Sequence, residues 1–228
     1  IGKSPLQTAF GSKITLRSSA YGAGILHSHA STYPDGSKQQ QITLYGHNDD
    51  NNDWIIHRSF NSTSPLKLDP LFTDEDYVVE HLKDGDHVRL FHNSTGKYLH
   101  SHYVHGRVSS TDYEVSGYGH SGHEDPNDIW VVEVASDSYT GTGKEEKIVR
   151  SLFSQLRFRH LSTGCYLRAS GKLYPEWGFR HGEVSCKANV KSSKELMRKE
   201  LLWNIESHVN SRLPEGTPGT YKSRFLDD

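Results

Sequence analysis

Short runs in which apolar and polar residues alternate at period two occur along the whole chain, and they return three times in one order. The first run of each set is Lys13-Ile14-Thr15-Leu16-Arg17, then Val88-Arg89-Leu90, then Arg157-Phe158-Arg159. A turn follows, written His92-Asn93-Ser94-Thr95-Gly96 in the second set and His160-Leu161-Ser162-Thr163-Gly164 in the third. The chain resumes as Ile25-Leu26-His27-Ser28-His29, Tyr98-Leu99-His100-Ser101-His102 and Tyr166-Leu167-Arg168-Ala169-Ser170. A third run begins at Gln41, Glu114 and Glu183, and a fourth carries Trp54, Trp130 and Trp203. Alternation of this kind puts one face of a strand on a core. Matched segments in a fixed order are the signature of a repeat.

The pattern predicts about four strands in each of three repeats, over about residues 12–57, 77–133 and 148–206, inside one domain covering 1–228 with an exit linker at 207–228. One short helix is expected before Trp203, because Ser192-Ser193-Lys194-Glu195 is a capping box and Glu195 to Leu202 are good helix formers. Residues 58–76 and 136–146 have no periodicity and read as surface connections. A single unit leaves its strand edges exposed and is unstable alone. Three units around a pseudo-threefold axis pair into a barrel with a triangular cap, which removes those edges. The expected fold is therefore all-β, a β-trefoil with neighbouring termini.

Composition adds limits. A hydrophobic share of 33%, 20 glycines and 11% aromatic residues suit short strands joined by many turns. Net charge of −2 excludes a nucleic-acid module, which needs clustered cations to neutralise phosphates. No apolar run has the length of a membrane span, so the segment reads as soluble. A start at Ile1 without a signal-peptide pattern reads as a piece of a longer polypeptide. The sequons Asn61-Ser62-Thr63 and Asn93-Ser94-Thr95 point to a secretory compartment. Asn61, in an open connection, is the better acceptor, since Asn93 sits in a tight turn. If Leu167 pairs with Val184, the same register sets Cys165 opposite Cys186. They form either a disulfide, worth roughly 3 kcal/mol, or a pair of buried thiols.

The candidate chemistry sits on the second strand of each set. Alternate residues share a face, so His100 and His102 point one way with Tyr98, as do His27 and His29. If Leu99 pairs with Val115, His100 lies across from Glu114. With Tyr118 and Arg89 these residues make a sugar pocket, in which polar groups grip hydroxyls and a ring stacks on C–H faces. In that reading His100→Ala loses the ligand and leaves the melting transition nearly unchanged. The duller alternative is that His100 and Glu114 merely satisfy one another. Fifteen histidines invite a zinc site, but paired strand histidines supply only two ligands, so no metal and no cofactor is expected. Glu114 and Glu183 occupy equivalent repeat positions and form no local acid/base pair. No catalytic residue is assigned.

The succession Leu90-Phe91-His92-Asn93-Ser94-Thr95-Gly96-Lys97-Tyr98-Leu99-His100-Ser101-His102, then Glu114-Val115-Ser116-Gly117-Tyr118-Gly119, then Asn127-Asp128-Ile129-Trp130 resembles the MIR domain. The likeness covers about residues 12–206, best in repeat two; repeat three replaces both strand histidines by Arg168 and Ser170. With Tyr221 to Asp228 it resembles the lumenal loop of a fungal dolichyl-phosphate-mannose protein O-mannosyltransferase of the heterodimer-forming subfamily. That resemblance implies an endoplasmic-reticulum membrane enzyme that moves mannose from dolichyl phosphate to Ser or Thr, with its catalytic acids outside this chain. The segment is then an accessory lumenal module that binds glycan or Ser/Thr-rich acceptor polypeptide, in a parent paired with a second subunit. The alternative is a protein-interaction scaffold with degenerate pockets. A channel's regulatory trefoil needs a basic phosphate-binding surface, which this near-neutral chain lacks.

Overall fold

The computed structural model describes residues 7–20, 22–59, 80–137 and 147–209. Asn61, Tyr77-Val78-Val79, most of both connections and the tail lie outside the described residues. Among the described residues the twelve antiparallel strands are β1 (Lys13–Ser18), β2 (Ile25–Thr32), β3 (Gln40–Tyr45), β4 (Trp54–Arg58), β5 (His87–His92), β6 (Tyr98–His105), β7 (Tyr113–Tyr118), β8 (Trp130–Asp137), β9 (Ser154–His160), β10 (Tyr166–Leu173), β11 (Gly182–Lys187) and β12 (Trp203–Val209). Six of them close a barrel in the order β1-β4-β5-β8-β9-β12, with β12 pairing back onto β1. The hairpins β2-β3, β6-β7 and β10-β11 form the cap. Their inner strands pair in a triangle, β3 with β7, β7 with β11 and β11 with β3. The fold is a β-trefoil.

Equivalent positions hold equivalent parts of the core. Leu16, Leu90 and Phe158, then Leu26, Leu99 and Leu167, then Ile42, Val115 and Val184 are all buried. The three indoles are fully enclosed, and each donates its Nε1–H to a cap-strand carbonyl: Trp54 to Leu26 (3.1 Å), Trp130 to Leu99 (3.0 Å) and Trp203 to Leu167 (3.1 Å). A buried Trp needs such an acceptor, because an orphaned indole N–H costs free energy. At the centre of the cap the Tyr33 hydroxyl donates to the Val115 carbonyl (2.8 Å) and lies 3.0 Å from that of Tyr174, which reaches the carbonyls of Val184 and Ile42.

The tight turns explain a recurring motif. Gly96 (φ 70°) and Gly164 (φ 73°) take the left-handed conformation and return their amides to His92 and His160. Each of those histidines gives Nε2–H to a carbonyl, of Asn51 and Asn127, so its Nδ1 accepts from the Thr95 or Thr163 hydroxyl. Burial holds both rings neutral, pushed down to about 4.

The hairpin registers depart from expectation, the disulfide alternative for the cysteines holds, and the short helix is present but ends before its run of helix formers does. Both hairpin registers are displaced by two residues: Leu99 opposes Gly117 and Ser101 opposes Val115, while Leu167 opposes Cys186 and Ala169 opposes Val184. Period-two alternation determines which face a residue takes, and a shift of two preserves it. Cys165 and Cys186 are nonetheless disulfide-bonded, with Cα atoms 5.3 Å apart, on a diagonal of that ladder. The helix is one turn, Ser193–Leu196, with the Ser192/Glu195 capping box in place. Beyond it Arg198 is extended and Lys199–Leu201 form a 3₁₀ turn that sinks Leu201 and Leu202 into the core ahead of β12.

Candidate functional site

Each cap loop lies on the next repeat's hairpin and is gripped there by residues at equivalent positions. The loop 33–39 sits on β6-β7, where Glu114 takes the Ser37 hydroxyl and amide and Ser116 donates to Gln39. The loop 106–112 sits on β10-β11: Glu183 accepts from the amides of Val108 (2.9 Å) and Ser109 (2.8 Å), and Ser185 donates to Asp112. The loop 174–181 sits on β2-β3, where Gln41 donates to the Trp177 carbonyl (3.1 Å) and Thr43 meets His181 (3.1 Å). Glu114 is therefore a clasp between repeats, 1% exposed and paired with Arg107 at 2.9 Å. His100 faces Ser116 across the hairpin, and the histidine near Glu114 is His102, with Nε2 3.7 Å from Glu114 Oε1.

The strand histidines are held from behind. His100, buried, has Nδ1 2.8 Å from Asp128 Oδ1 and Nε2 3.3 Å from His102 Nδ1. His27 gives Nδ1–H to Asn52 Oδ1 at 2.8 Å. Asp128 and Asn52 each stand two residues before the buried Trp, the signal that marks them as site residues and that sequence reasoning passed over. Burial raises the Asp128 carboxyl, opposed by the hydrogen bond to His100. Burial lowers His29 to about 4, reinforced by His27, His181 and His92.

The three junctions then differ. In repeat one His27, His29 and Tyr45 are covered by the loop of repeat three: the His181 ring lies 4.8 Å from Tyr45 and the Phe179 ring 4.7 Å from His29. In repeat three Arg168 fills the position with ion pairs to Asp112 (2.7 Å) and Glu200 (3.3 Å). In repeat two the covering residues are Ser37 and Gln39, which leave Tyr118 39% exposed with its ring 4.9 Å from His100. Beside Tyr118 runs a groove of about 440 Å³, lined by Thr32, Gln39, Gln40, Lys97, Gly119, His120 and His123 among others.

The structure thus gathers His100, His102 and Tyr118. It places Arg89 and Tyr98 in a separate group with His57 and Phe91, where the Arg89 guanidinium lies 4.6 Å from the Tyr98 ring and Tyr98 is buried. Thr95, the third residue of the Asn93 sequon, spends its hydroxyl on His92 and Gln40. Among the described residues no group of three or more His, Cys, Asp or Glu is placed to hold a metal ion. No described helix is long and apolar enough to cross a membrane.

This arrangement of three clasped hairpins can be set against known proteins. The MIR domain family model matches residues 24–201. The chain belongs to the MIR domain family. Over 99% of its length this MIR domain is 39% identical to dolichyl-phosphate-mannose–protein mannosyltransferase 3 of Saccharomyces cerevisiae, covering 29% of that protein. It is 38% identical to protein O-mannosyl-transferase 2 of Danio rerio, over 98% of the chain and 27% of the relative. The chain spans under a third of these relatives. Among solved structures it resembles the S. cerevisiae protein O-mannosyltransferase Pmt1-Pmt2 complex bound to the sugar donor, with TM-score 0.75, 37% identity and coverage of 96% of this chain and 28% of that one. The SDF2-like protein of Arabidopsis thaliana matches with TM-score 0.68 and 26% identity, over 92% of this chain and 98% of its own, so there the MIR fold makes up nearly the whole chain.

Proposed function

We propose that this MIR domain is a non-catalytic module of a dolichyl-phosphate-mannose protein mannosyltransferase and that repeat two holds the glycan or Ser/Thr-rich acceptor polypeptide. The parent enzyme in this reading transfers mannose from dolichyl phosphate mannose to Ser or Thr, lies in the endoplasmic-reticulum membrane with this module on the lumenal side, and works beside a second mannosyltransferase subunit. The names of the relatives and the Pmt1-Pmt2 complex support that setting. The observation that carries the binding site is the open groove at Tyr118, set against the filled junctions of repeats one and three. An exposed ring beside amide, imidazole and ammonium donors suits a sugar, whose hydroxyls need polar partners and whose C–H face needs a flat apolar one.

Titration of the chain with short α-mannosides, mannosylated peptides and bare Ser/Thr-rich peptides, followed by NMR, tests this reading. Shifts at Tyr118, Gly119 and His123 are expected, and Tyr118→Ala should remove them while leaving the melting temperature within a few degrees. His100→Ala is the wrong probe, since a 2%-exposed ring bonded to Asp128 is part of the core. Silence at millimolar concentrations of all three ligands would favour an interaction scaffold. The commitment of Glu114 to the inter-repeat clasp speaks for that second reading.

A further inference from the structure

On the outer face of the barrel the first strand of each repeat carries arginine beside the residue three positions past the buried tryptophan of the repeat that precedes it around the barrel. Beside Arg17 of repeat one that residue is Glu206, 2.9 Å from the arginine Nε. Beside Arg157 and Arg159 of repeat three it is Glu133, whose two oxygens each lie 3.0 Å from the Nε of one of them. Beside Arg89 of repeat two it is His57, directly opposite in the β4-β5 ladder. His57 supplies no compensating charge: its Nδ1 is 3.0 Å from the Tyr98 hydroxyl, and its ring stacks on Phe91 at 4.9 Å. Burial, with Arg89 second, keeps it neutral.

Among the described residues Arg89 consequently has no carboxylate partner. Its Nε donates to the Arg58 carbonyl at 3.0 Å, its guanidinium rests on the Tyr98 ring, and Nη1 is enclosed without a hydrogen bond. The neighbouring charges are committed elsewhere, Asp128 to His100 and Glu80 to Arg58. A half-buried guanidinium with no carboxylate among the described residues is costly to keep, and an anion that meets it gains a charge-assisted hydrogen bond.

We propose that Arg89, flanked by Tyr98 and His57, is a docking point for the carboxylate of an Asp or Glu side chain on a partner polypeptide. The molecule itself indicates the occupant, since a carboxylate stands at the same place in the other two repeats. The contact centres on the barrel strands β4 and β5, and neither Arg89, His57 nor Tyr98 lines the Tyr118 groove.

The test follows the Arg89 Nε–Hε resonance while the whole chain is titrated with an acetylated Ser-Asp-Glu-Ser peptide, its uncharged Ser-Asn-Gln-Ser counterpart and inorganic phosphate. The acidic peptide should shift that resonance at millimolar concentration, several-fold more weakly at high salt, and the uncharged one should not. His57→Glu installs the internal carboxylate of the other repeats. It should abolish the shift without lowering the melting temperature, and Arg89→Gln should abolish peptide-induced shifts at His57 and Tyr98. No response to the acidic peptide, or a response that survives His57→Glu, overturns the proposal. Phosphate acting where the peptide does not overturns its assignment to a carboxylate.

Discussion

Asp128 and Asn52 perform one task with different charge: each offers an oxygen 2.8 Å from the Nδ1 of a strand histidine, His100 or His27. If the acceptor matters and the charge does not, Asp128→Asn should cost less than about 1 kcal/mol and Asp128→Ala about 1–3 kcal/mol, the range for stranding a buried donor. Urea denaturation of the two variants decides; equal costs would show that the ionic character of the pair is needed. At this scale the sequence was legible as far as the face a side chain takes. His100, His102 and Tyr118 share one because alternation is local. Glu114 was misplaced, since its partners Ser37 and Arg107 belong to loops of which one comes from another repeat.

Among elements, the loop 106–112 is tied to β10-β11 mainly through Glu183, which accepts from Val108, Ser109 and Ser170. Glu183→Ala strands two amides and two hydroxyls and is expected to cost about 2–4 kcal/mol, several unsatisfied groups at once. Hydrogen exchange should report it first at the Val108 and Ser109 amides. Exchange there no faster than in the parent would mean that backbone geometry alone seats the loop. Glu183→Gln should be milder, because Gln41 fills the same position in repeat one and grips the loop 174–181 of repeat three through its amide. That Gln41, Glu114 and Glu183 are equivalent was plain from the repeat; what they hold was not. The helix divides similarly. Its capping box is a property of four adjacent residues, but its length was cut to Ser193–Leu196 by the need to bury Leu201 and Leu202.

For the whole molecule, burial leaves four histidines, His29, His57, His92 and His160, neutral in the fold and lowered to about 4. The unfolded chain takes up their protons near the ordinary value of 6.5, so acid favours unfolding. Their contribution is complete above about pH 6.5, is lost progressively as pH falls toward about 4, and changes no further below that. The buried His92 and His160 each add at most about 1.4 kcal/mol per pH unit in that window; His29 and His57, partly exposed, add less. Thermal melts across this range should show the midpoint falling steadily between those limits, and a flat profile would contradict neutral burial. Variants His92→Asn and His160→Asn should flatten the profile at the cost of some stability near neutrality.

Alternation, turn chemistry and the recurrence of whole segments are carried by neighbours along the chain. They were enough to establish strands, a threefold repeat and a closed trefoil with three enclosed indoles. The offset of each hairpin, the loop that covers each junction and the pairing of each outer-face arginine are energies between segments far apart in sequence. A two-residue slip leaves the hydrophobic face unchanged, so packing across repeats had to choose it. The same packing filled the junctions of repeats one and three with His181, Phe179 and Arg168 and left the one at Tyr118 open.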